Sequence, residues 1–362
     1  MEKSQKKSRG SVTVCSFLFS LAASHASQGF TWSETLTKTR NSQPPTIPTL
    51  PIFQLTLQQH FSGKNMNLLQ AKGWKDYELI DCGGFEKLER FGKYTLIRPE
   101  PQAIWNKRMP ESEWEKIAHA RYNRDKQKKA YRFATEENGG WTFFKKMPES
   151  WTIGYDLDQT KLQFKLSLTT FGHIGVFPEQ AENWKYISQK VKKAGNSCKV
   201  LNLFAYTGGA SLAAKAAGAD ITHVDAVKNV ITWARENMEL TGLRDIRWLV
   251  EDALKFVKRE VTRGKKYHGI ILDPPAYGRG PTGEKWVLEE NFNELISLCA
   301  KLLEGKGSFL VLNLYSLGFS SLIGNNVVAD YLKPTEKEFG EFFLLSQTGI
   351  QLPLGTFLRL TL

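Results

Sequence analysis

Polar residues follow four apolar stretches of this chain, at the points where each stretch ends. The stretches with their ends are Val200-Leu-Asn-Leu-Phe-Ala-Tyr-Thr-Gly-Gly209, His223-Val-Asp225, Leu249-Val-Glu-Asp252 and Ile270-Ile-Leu-Asp-Pro-Pro-Ala-Tyr277. If all four are strands of one parallel sheet, their carboxyl ends face one crevice, and the polar side chains converge on one ligand. The pattern therefore predicts an active site built from four strand ends.

Asp273-Pro-Pro-Ala-Tyr277 is the sharpest of these signals. Two prolines after an apolar strand fix the backbone so that carbonyl oxygens point outward, and Asp273 adds another acceptor. Such a loop could hold an amine or one edge of a planar base, with an aromatic ring stacked on it. The alternative is a rigid strand-exit turn with Tyr277 as a packing residue. We predict four catalytic residues here: Asp273, Pro274, Pro275 and Tyr277.

The other strand ends suit a nucleoside. Asp225 is placed to accept hydrogen bonds from ribose hydroxyls, and Asp252 to accept one from an adenine amine. Each aspartate could instead cap the helix that follows it. Gly208 and Gly209 let the backbone approach a ligand at a helix N-terminus. They do not complete the Gly-x-Gly-x-x-Gly pattern of a dinucleotide site, so a nicotinamide dehydrogenase is a weaker interpretation.

The elements that must position these residues alternate between helix and strand after Pro178. Helices are predicted at 179–194, 210–217, 228–240, 253–263 and 292–303, and strands at 199–205, 221–224, 246–250, 269–272 and 308–314. Segments 341–348 and 356–360 then form a hairpin. This alternation predicts an α/β fold with a doubly wound sheet, mostly parallel with one antiparallel strand.

Residues 66–178 show short strands and turns instead, which predicts a small β-rich domain for substrate recognition. Within it, a helix predicted over 111–120 runs into the tract 121–132, which holds six basic residues against Asp125. Interleaved tyrosines suit contacts to phosphates and stacking on bases, whereas a solvated helix face is the alternative. The candidate RNA-binding residues are Arg121, Arg124, Lys128, Lys129 and Arg132.

Residues 1–65 differ from the rest in carrying only two acids, many Ser and Thr, and a proline-rich stretch near residue 45. They imitate a secretory signal or an organellar transit peptide. We prefer a third interpretation, a mis-annotated leader upstream of a start at Met66, and expect the stretch to be disordered. The predicted domains are therefore 1–65, 66–178 and 179–362.

Composition narrows the function classes. The net charge is +12, distributed as +5, +3 and +4 over 1–65, 66–180 and 181–362, which favours polyanionic partners such as nucleic acid. No apolar run reaches the 18 or so residues that span a bilayer, so no membrane partner is expected. Four cysteines lack Cys-x-x-Cys spacing, which argues against structural zinc and disulfides and favours a cytoplasmic location.

Residues 180–362 resemble class I S-adenosylmethionine-dependent methyltransferases, with a Rossmann-like sheet. Asn202–Gly209, Asp273–Gly280 and Gly172–Gln180 are similar to motifs of the bacterial family that contains large-subunit ribosomal RNA methyltransferases, and the resemblance extends back to about Lys87. It implies S-adenosylmethionine as cofactor and methyl transfer to a nucleic-acid base, with ribosomal RNA as the expected substrate. The cofactor contacts that it implies are Phe177, Gln180, Asn202, Phe204, Tyr206, Thr207, Gly208, Asp225, Asp252 and Ala253.

Two departures leave the methylated atom open. Cytosine C5 methylation needs a thiolate after the fifth strand, where this chain has Asn313-Leu-Tyr-Ser316. Ala276 separates the prolines from Tyr277, unlike the usual exocyclic-amine enzymes. We therefore expect direct methyl transfer without a metal. His173 and Glu179 are candidate bases, and packing at the domain junction is the favoured alternative for His173. The alternatives are a small-molecule methyltransferase on the same fold and a non-catalytic RNA-binding protein.

Overall fold

The computed structural model describes residues 66–124, 139–195, 197–315 and 318–362. Strands dominate the first part, with one short helix. Its elements are β1 (Asn67–Gln70), β2 (Tyr77–Gly83), β3 (Glu86–Phe91), β4 (Tyr94–Pro99), α1 (Glu111–Ile117), β5 (Ala120–Arg124), β6 (Gly139–Phe143), β7 (Ser150–Leu157) and β8 (Thr160–Ser167). Gly84 and Gly92 have positive φ and form the tight turns between β2, β3 and β4.

Helices and strands alternate after a single 3-10 turn, Pro178–Gln180. The helices are α2 (Ala181–Ala194), α3 (Gly209–Ala216), α4 (Lys228–Leu240), α5 (Ala253–Thr262), α6 (Leu288–Leu302) and α7 (Ser321–Ala329). The strands are β9 (Lys199–Leu203), β10 (Asp220–Asp225), β11 (Arg247–Val250), β12 (Gly269–Leu272), β13 (Tyr277–Arg279), β14 (Lys285–Val287), β15 (Phe309–Leu314), β16 (Glu336–Leu345) and β17 (Gln351–Thr361).

The central sheet has eight strands in the order β1-β16-β17-β15-β12-β9-β10-β11. Strand β17 is antiparallel to both of its neighbours, and every other pairing in this sheet is parallel. Successive residues of β9, Val200 and Leu201, belong to two separate cores, one packed by α2 and α3 and the other by α5 and α6. The predicted doubly wound sheet, its one antiparallel strand and its closing hairpin are therefore confirmed.

The strand-rich part forms a five-stranded sheet, β2 to β6, and a separate hairpin of β7 and β8. Strand β1 instead joins the central sheet beside β16. Trp74 connects the two parts, because its ring contacts Tyr155 and Trp184 and its Nε1 donates to the Pro178 carbonyl at 2.9 Å. This packing fixes the segment that leads into α2. The boundary proposed near residue 178 stays a prediction.

Two local predictions need correction. The helix expected over 111–120 ends at Ile117, because Ala118 has extended backbone and Ala120 starts β5 beside Leu96. The basic tract therefore begins on a strand rather than on a helix. Residues 125–132 of that tract lie outside the described residues. In the part of the chain that is described, no helix is long and apolar enough to cross a membrane.

Candidate active site

One crevice of about 540 Å³ opens at the carboxyl ends of the parallel strands. The connection order reverses at β9, which has β10 on one side and β12 on the other. Such a switch point is where ligands bind in doubly wound sheets. A second cavity of about 60 Å³ is lined in part by the same residues, among them Phe177, Phe204 and Tyr206.

The loop between β9 and α3 forms one wall of the crevice in a constrained conformation. Phe204 and Tyr206 have φ of 56° and 49°, a left-handed backbone that costs a non-glycine residue about 1–3 kcal/mol. Gly208 has φ of 92° at the helix N-cap, and a Cβ on Gly209 would lie 2.6 Å from the Trp184 ring. Glycine is needed here because the loop turns sharply against α2.

Asp225 holds this loop in place from the end of β10. Its Oδ2 accepts the Tyr206 N–H and its Oδ1 accepts the Val227 N–H, both at 2.9 Å. Burial raises the pKa of Asp225, while the backbone N–H groups of Val227, Tyr206 and Ala226 oppose that rise. Each oxygen keeps a further lone pair, so the carboxylate can still accept hydrogen bonds from hydroxyl groups of a ligand.

Asp252 and its neighbour serve both the fold and the crevice. Asp252 is the N-cap of α5, where its Oδ1 accepts the Lys255 N–H at 2.8 Å. It also lines the crevice with Ala253. The capping alternative considered from the sequence is thus observed, and it does not remove the residue from the site.

The loop after β12 carries the remaining predicted residues. Asn313, at the end of neighbouring β15, donates from its Nδ2 to Asp273 Oδ1 at 2.7 Å, and the Asn313 Oδ1 has no hydrogen-bond partner among the described residues. Desolvation raises the pKa of Asp273 to about 6, although the Asn313 hydrogen bond lowers it. Trp286 Nε1 donates to the Pro275 carbonyl at 2.7 Å, which anchors the loop. Tyr277, half-buried, begins β13 at the crevice wall.

His173 and Glu179, which the sequence left open as bases, differ in their surroundings. His173 is exposed at the crevice, but desolvation by the surrounding walls, with the nearby Arg98 and Lys87, lowers its pKa to about 4, so this imidazole is neutral at pH 7. Burial raises the pKa of Glu179 to about 7; Lys87 opposes that rise and Asp273 adds to it. Both side chains line the crevice.

All four predicted catalytic residues line the large crevice. Seven of the ten predicted cofactor contacts do so as well: Phe177, Gln180, Phe204, Tyr206, Asp225, Asp252 and Ala253. Asn202, Thr207 and Gly208 line the smaller cavity instead. The Asn202 side chain is buried and donates to Ser211 Oγ at 2.9 Å, so its amide is engaged in the core. Within the described ranges, no group of three or more His, Cys, Asp or Glu residues could hold a metal ion.

The predicted RNA contacts are only partly within the described residues. Arg121 forms ion pairs with Glu86, Glu111 and Glu115, so its charge is already compensated. Arg124 is the last residue of β5, whereas Lys128, Lys129 and Arg132 lie outside the described residues.

The structure also shows candidate residues that were not predicted from the sequence. Phe171, 52% exposed, lines the crevice, and the run Phe143-Phe144-Lys145-Lys146 is exposed at the end of β6. The adjacent aromatic and basic residues of that run are the sequence pattern that could have identified it as a candidate RNA-binding segment.

Comparison with known proteins shows which family this chain resembles. Residues 123–328, more than half of the chain, match the family model of S-adenosylmethionine-dependent methyltransferases. A solved SAM-dependent methyltransferase from Agrobacterium tumefaciens has 37% sequence identity and a TM-score of 0.73, covering 82% of this chain and 93% of that one. A candidate SAM-dependent methyltransferase from Streptococcus mutans has the same fold at 14% identity, with a TM-score of 0.60 over 80% of this chain and 76% of that one.

Curated relatives match a smaller part of the chain. The ribosomal RNA large subunit methyltransferase K/L of Shewanella frigidimarina is 33% identical over 155 residues, which are 42% of this chain and 21% of that protein. The same protein from Shewanella loihica is 32% identical over 170 residues, 43% of this chain and 23% of that protein. The chain thus spans less than a quarter of the length of these relatives. From the strand-end crevice and the family match together, we conclude that this chain belongs to the S-adenosylmethionine-dependent methyltransferase family.

Proposed function

We propose that this enzyme methylates a base of RNA, with ribosomal RNA as the expected substrate. The observation that carries the proposal is a set of acceptors at the crevice: Asp273, the Pro274 carbonyl and the Asn313 Oδ1, to which no described group donates. Groups that accept hydrogen bonds select a molecule that presents N–H donors. The edge of a nucleobase does so, and exposed Phe171 and half-buried Tyr277 offer rings on which a base can stack.

The residues present fit S-adenosylmethionine. The Asp225 carboxylate retains lone pairs for ribose hydroxyls, and Asp252 lies beside it in the crevice. The carboxyls of Glu179 and Asp273 form no ion pair with any described cation, which suits a positively charged ligand. When bound, S-adenosylmethionine supplies a methyl group activated by a positively charged sulfur.

The protein's part of the reaction is alignment. Asp273 and the Pro274 carbonyl are proposed to hold the N–H groups of an acceptor, so that its lone pair faces the methyl group. The hydrogen bond from Trp286 to the Pro275 carbonyl keeps this loop rigid. Tyr277 and Phe177 are proposed to enclose the reacting groups and exclude water.

Two further observations bear on the substrate. The curated relatives are named as ribosomal RNA methyltransferases, which supports RNA for this chain. The crevice carries charged residues, among them Lys87, Arg98 and Glu100, whereas a small apolar metabolite would call for an apolar pocket.

We also keep a cytoplasmic location as part of the proposal, because Cys82, Cys198 and Cys299 are free and buried.

Tritium transfer tests the proposal directly. The purified enzyme is incubated with S-adenosylmethionine labelled in the methyl group and total RNA from a strain that lacks the gene. We expect label in ribosomal RNA, and nucleoside analysis should then identify one modified nucleoside. The Asp273→Ala variant should transfer no label. Label confined to a small-molecule extract would support the metabolite alternative, and no transfer to either pool would favour a binding protein.

A further inference from the structure

Glu179 is a buried residue whose carboxyl belongs to the crevice lining. It is 6% exposed and lines the crevice, yet none of the described side chains forms a hydrogen bond or an ion pair with it. Its own backbone N–H is the hydrogen-bonding group that acts on it. A buried carboxylate without compensation is costly, so such a group in a ligand crevice indicates that the ligand supplies the compensation.

The cations around Glu179 are already matched by other acids. Arg98 pairs with Glu89 at 2.7 Å, and Lys87 pairs with Glu100 at 3.2 Å. The residues of these two pairs lie on β3, on β4 and just after β4, and the two pairs together carry no net charge. Glu179 and Asp273 line the same crevice as these pairs and as Arg279, yet neither carboxyl forms an ion pair with a described cation, and Lys87 acts on Glu179 only at longer range.

The other titratable groups near Glu179 stay neutral around pH 7. Desolvation in the crevice, together with the charges of Arg98 and Lys87, lowers the pKa of His173 and favours its neutral form. Burial raises the pKa of Tyr77, and desolvation with the charge of Glu100 raises the pKa of the partly exposed Tyr315, so both phenols keep their protons. None of these three residues therefore supplies a positive charge to Glu179.

We propose that Glu179 and Asp273 together recognise the positive charge of the S-adenosylmethionine sulfonium, so that the crevice retains this cofactor and releases its neutral thioether product, S-adenosylhomocysteine. The two ligands differ only in the methyl group and in the charge on sulfur. A carboxyl pair that responds to this charge would discriminate between them without any change in contacts to the adenosine. The inference concerns cofactor exchange and does not depend on which acceptor is methylated.

The sign of the pH dependence follows from linkage. In the free protein the pKa of Glu179 is raised to about 7 and that of Asp273 to about 6, mainly by desolvation. A bound cation favours the ionised carboxylates, so its binding releases protons at low pH, and its affinity rises as the pH rises through these values. Between pH 6 and pH 8 full coupling predicts a gain of about tenfold from Glu179 and about twofold from Asp273. A neutral thioether gains neither.

Calorimetric titration of the full chain tests this inference without an RNA substrate. Dissociation constants of both ligands are measured from pH 6 to pH 8 for the wild type, Glu179→Gln, Asp273→Asn and the control Glu182→Gln, whose parent glutamate pairs with Lys185 on α2. We expect the preference for S-adenosylmethionine to rise about 20-fold in the wild type and in the control, and about twofold in Glu179→Gln.

Binding of S-adenosylhomocysteine shows that each variant is folded, because it should be nearly equal in all four proteins. Parallel pH slopes for the two ligands in the wild type would overturn the inference, as would an unchanged slope in Glu179→Gln. If Glu179→Gln does not bind the product, Asp273→Asn provides the test. A pH dependence of the ligand preference equal to that of the wild type in this variant would also reject the carboxyl pair. Absence of RNA methylation would refute only the proposed substrate.

Discussion

Removal of the Asp225 carboxylate is expected to weaken cofactor binding by a factor that the structure bounds. The carboxylate accepts one backbone N–H on each oxygen and retains lone pairs for ribose hydroxyls. A hydrogen bond to a charged group contributes about 1.5–3 kcal/mol, so loss of one such bond in Asp225→Ala raises the dissociation constant about 10- to 150-fold. The variant also loses the hydrogen bond that holds Tyr206 in its left-handed conformation, which weakens binding further. The loss of about tenfold is therefore a minimum.

Asp220 offers a matched control at the other end of the same strand. It is exposed at the start of β10, away from the crevice, so Asp220→Ala should bind as the wild type does. Calorimetry at pH 8 measures both variants with S-adenosylmethionine and S-adenosylhomocysteine. Because both ligands carry the ribose, Asp225→Ala should lose the same factor for each. A change within twofold, or a loss confined to the charged ligand, would refute the assignment of Asp225 to the ribose.

Three further outcomes are expected. Asp273→Ala should lower turnover at least 100-fold with product affinity nearly unchanged, since the acceptor loop positions the reacting groups; an equal loss of both in kinetics and calorimetry would make Asp273 structural. Gly209→Ala should destabilise the protein by about 1–3 kcal/mol, because the new Cβ meets Trp184, whereas Gly140→Ala has open space and should change denaturant unfolding by less than about 0.5 kcal/mol. Glu89→Gln should cost about 3–5 kcal/mol by stranding a buried guanidinium, and an unchanged melting curve would contradict that pairing.

The effect of pH on the Glu89 pair has a definite sign. Burial alone would raise the pKa of Glu89, but Arg98 and Lys87 outweigh it, and the pKa is lowered overall. A carboxyl with a lowered pKa contributes stability above its ordinary pKa and loses it as the pH falls through the lowered value. Denaturant unfolding should therefore show a loss of stability in acid that is smaller in Glu89→Gln.

Local sequence was sufficient for the α/β class and for most of the crevice. Apolar runs with polar ends predict strands and the residues at their carboxyl ends, because side-chain burial and turn residues are local properties. Asp225, Asp252 and the loop that starts at Asp273 line the crevice for this reason. The family resemblance added the cofactor, which no pattern of spacing alone would name.

Tertiary contacts determined what these residues are free to do. Asn313 reaches Asp273 only because β15 pairs with β12, while Asn202 turns to Ser211 in the core. Arg121 is held by one acid of its own sheet and two of α1. The unpaired state of Glu179 is likewise a property of its neighbours, which lie on strands far apart in sequence. Hydrogen-bond partners and charge compensation depend on which distant segments pack together, so the sequence could select the candidates but only the folded chain could assign their partners.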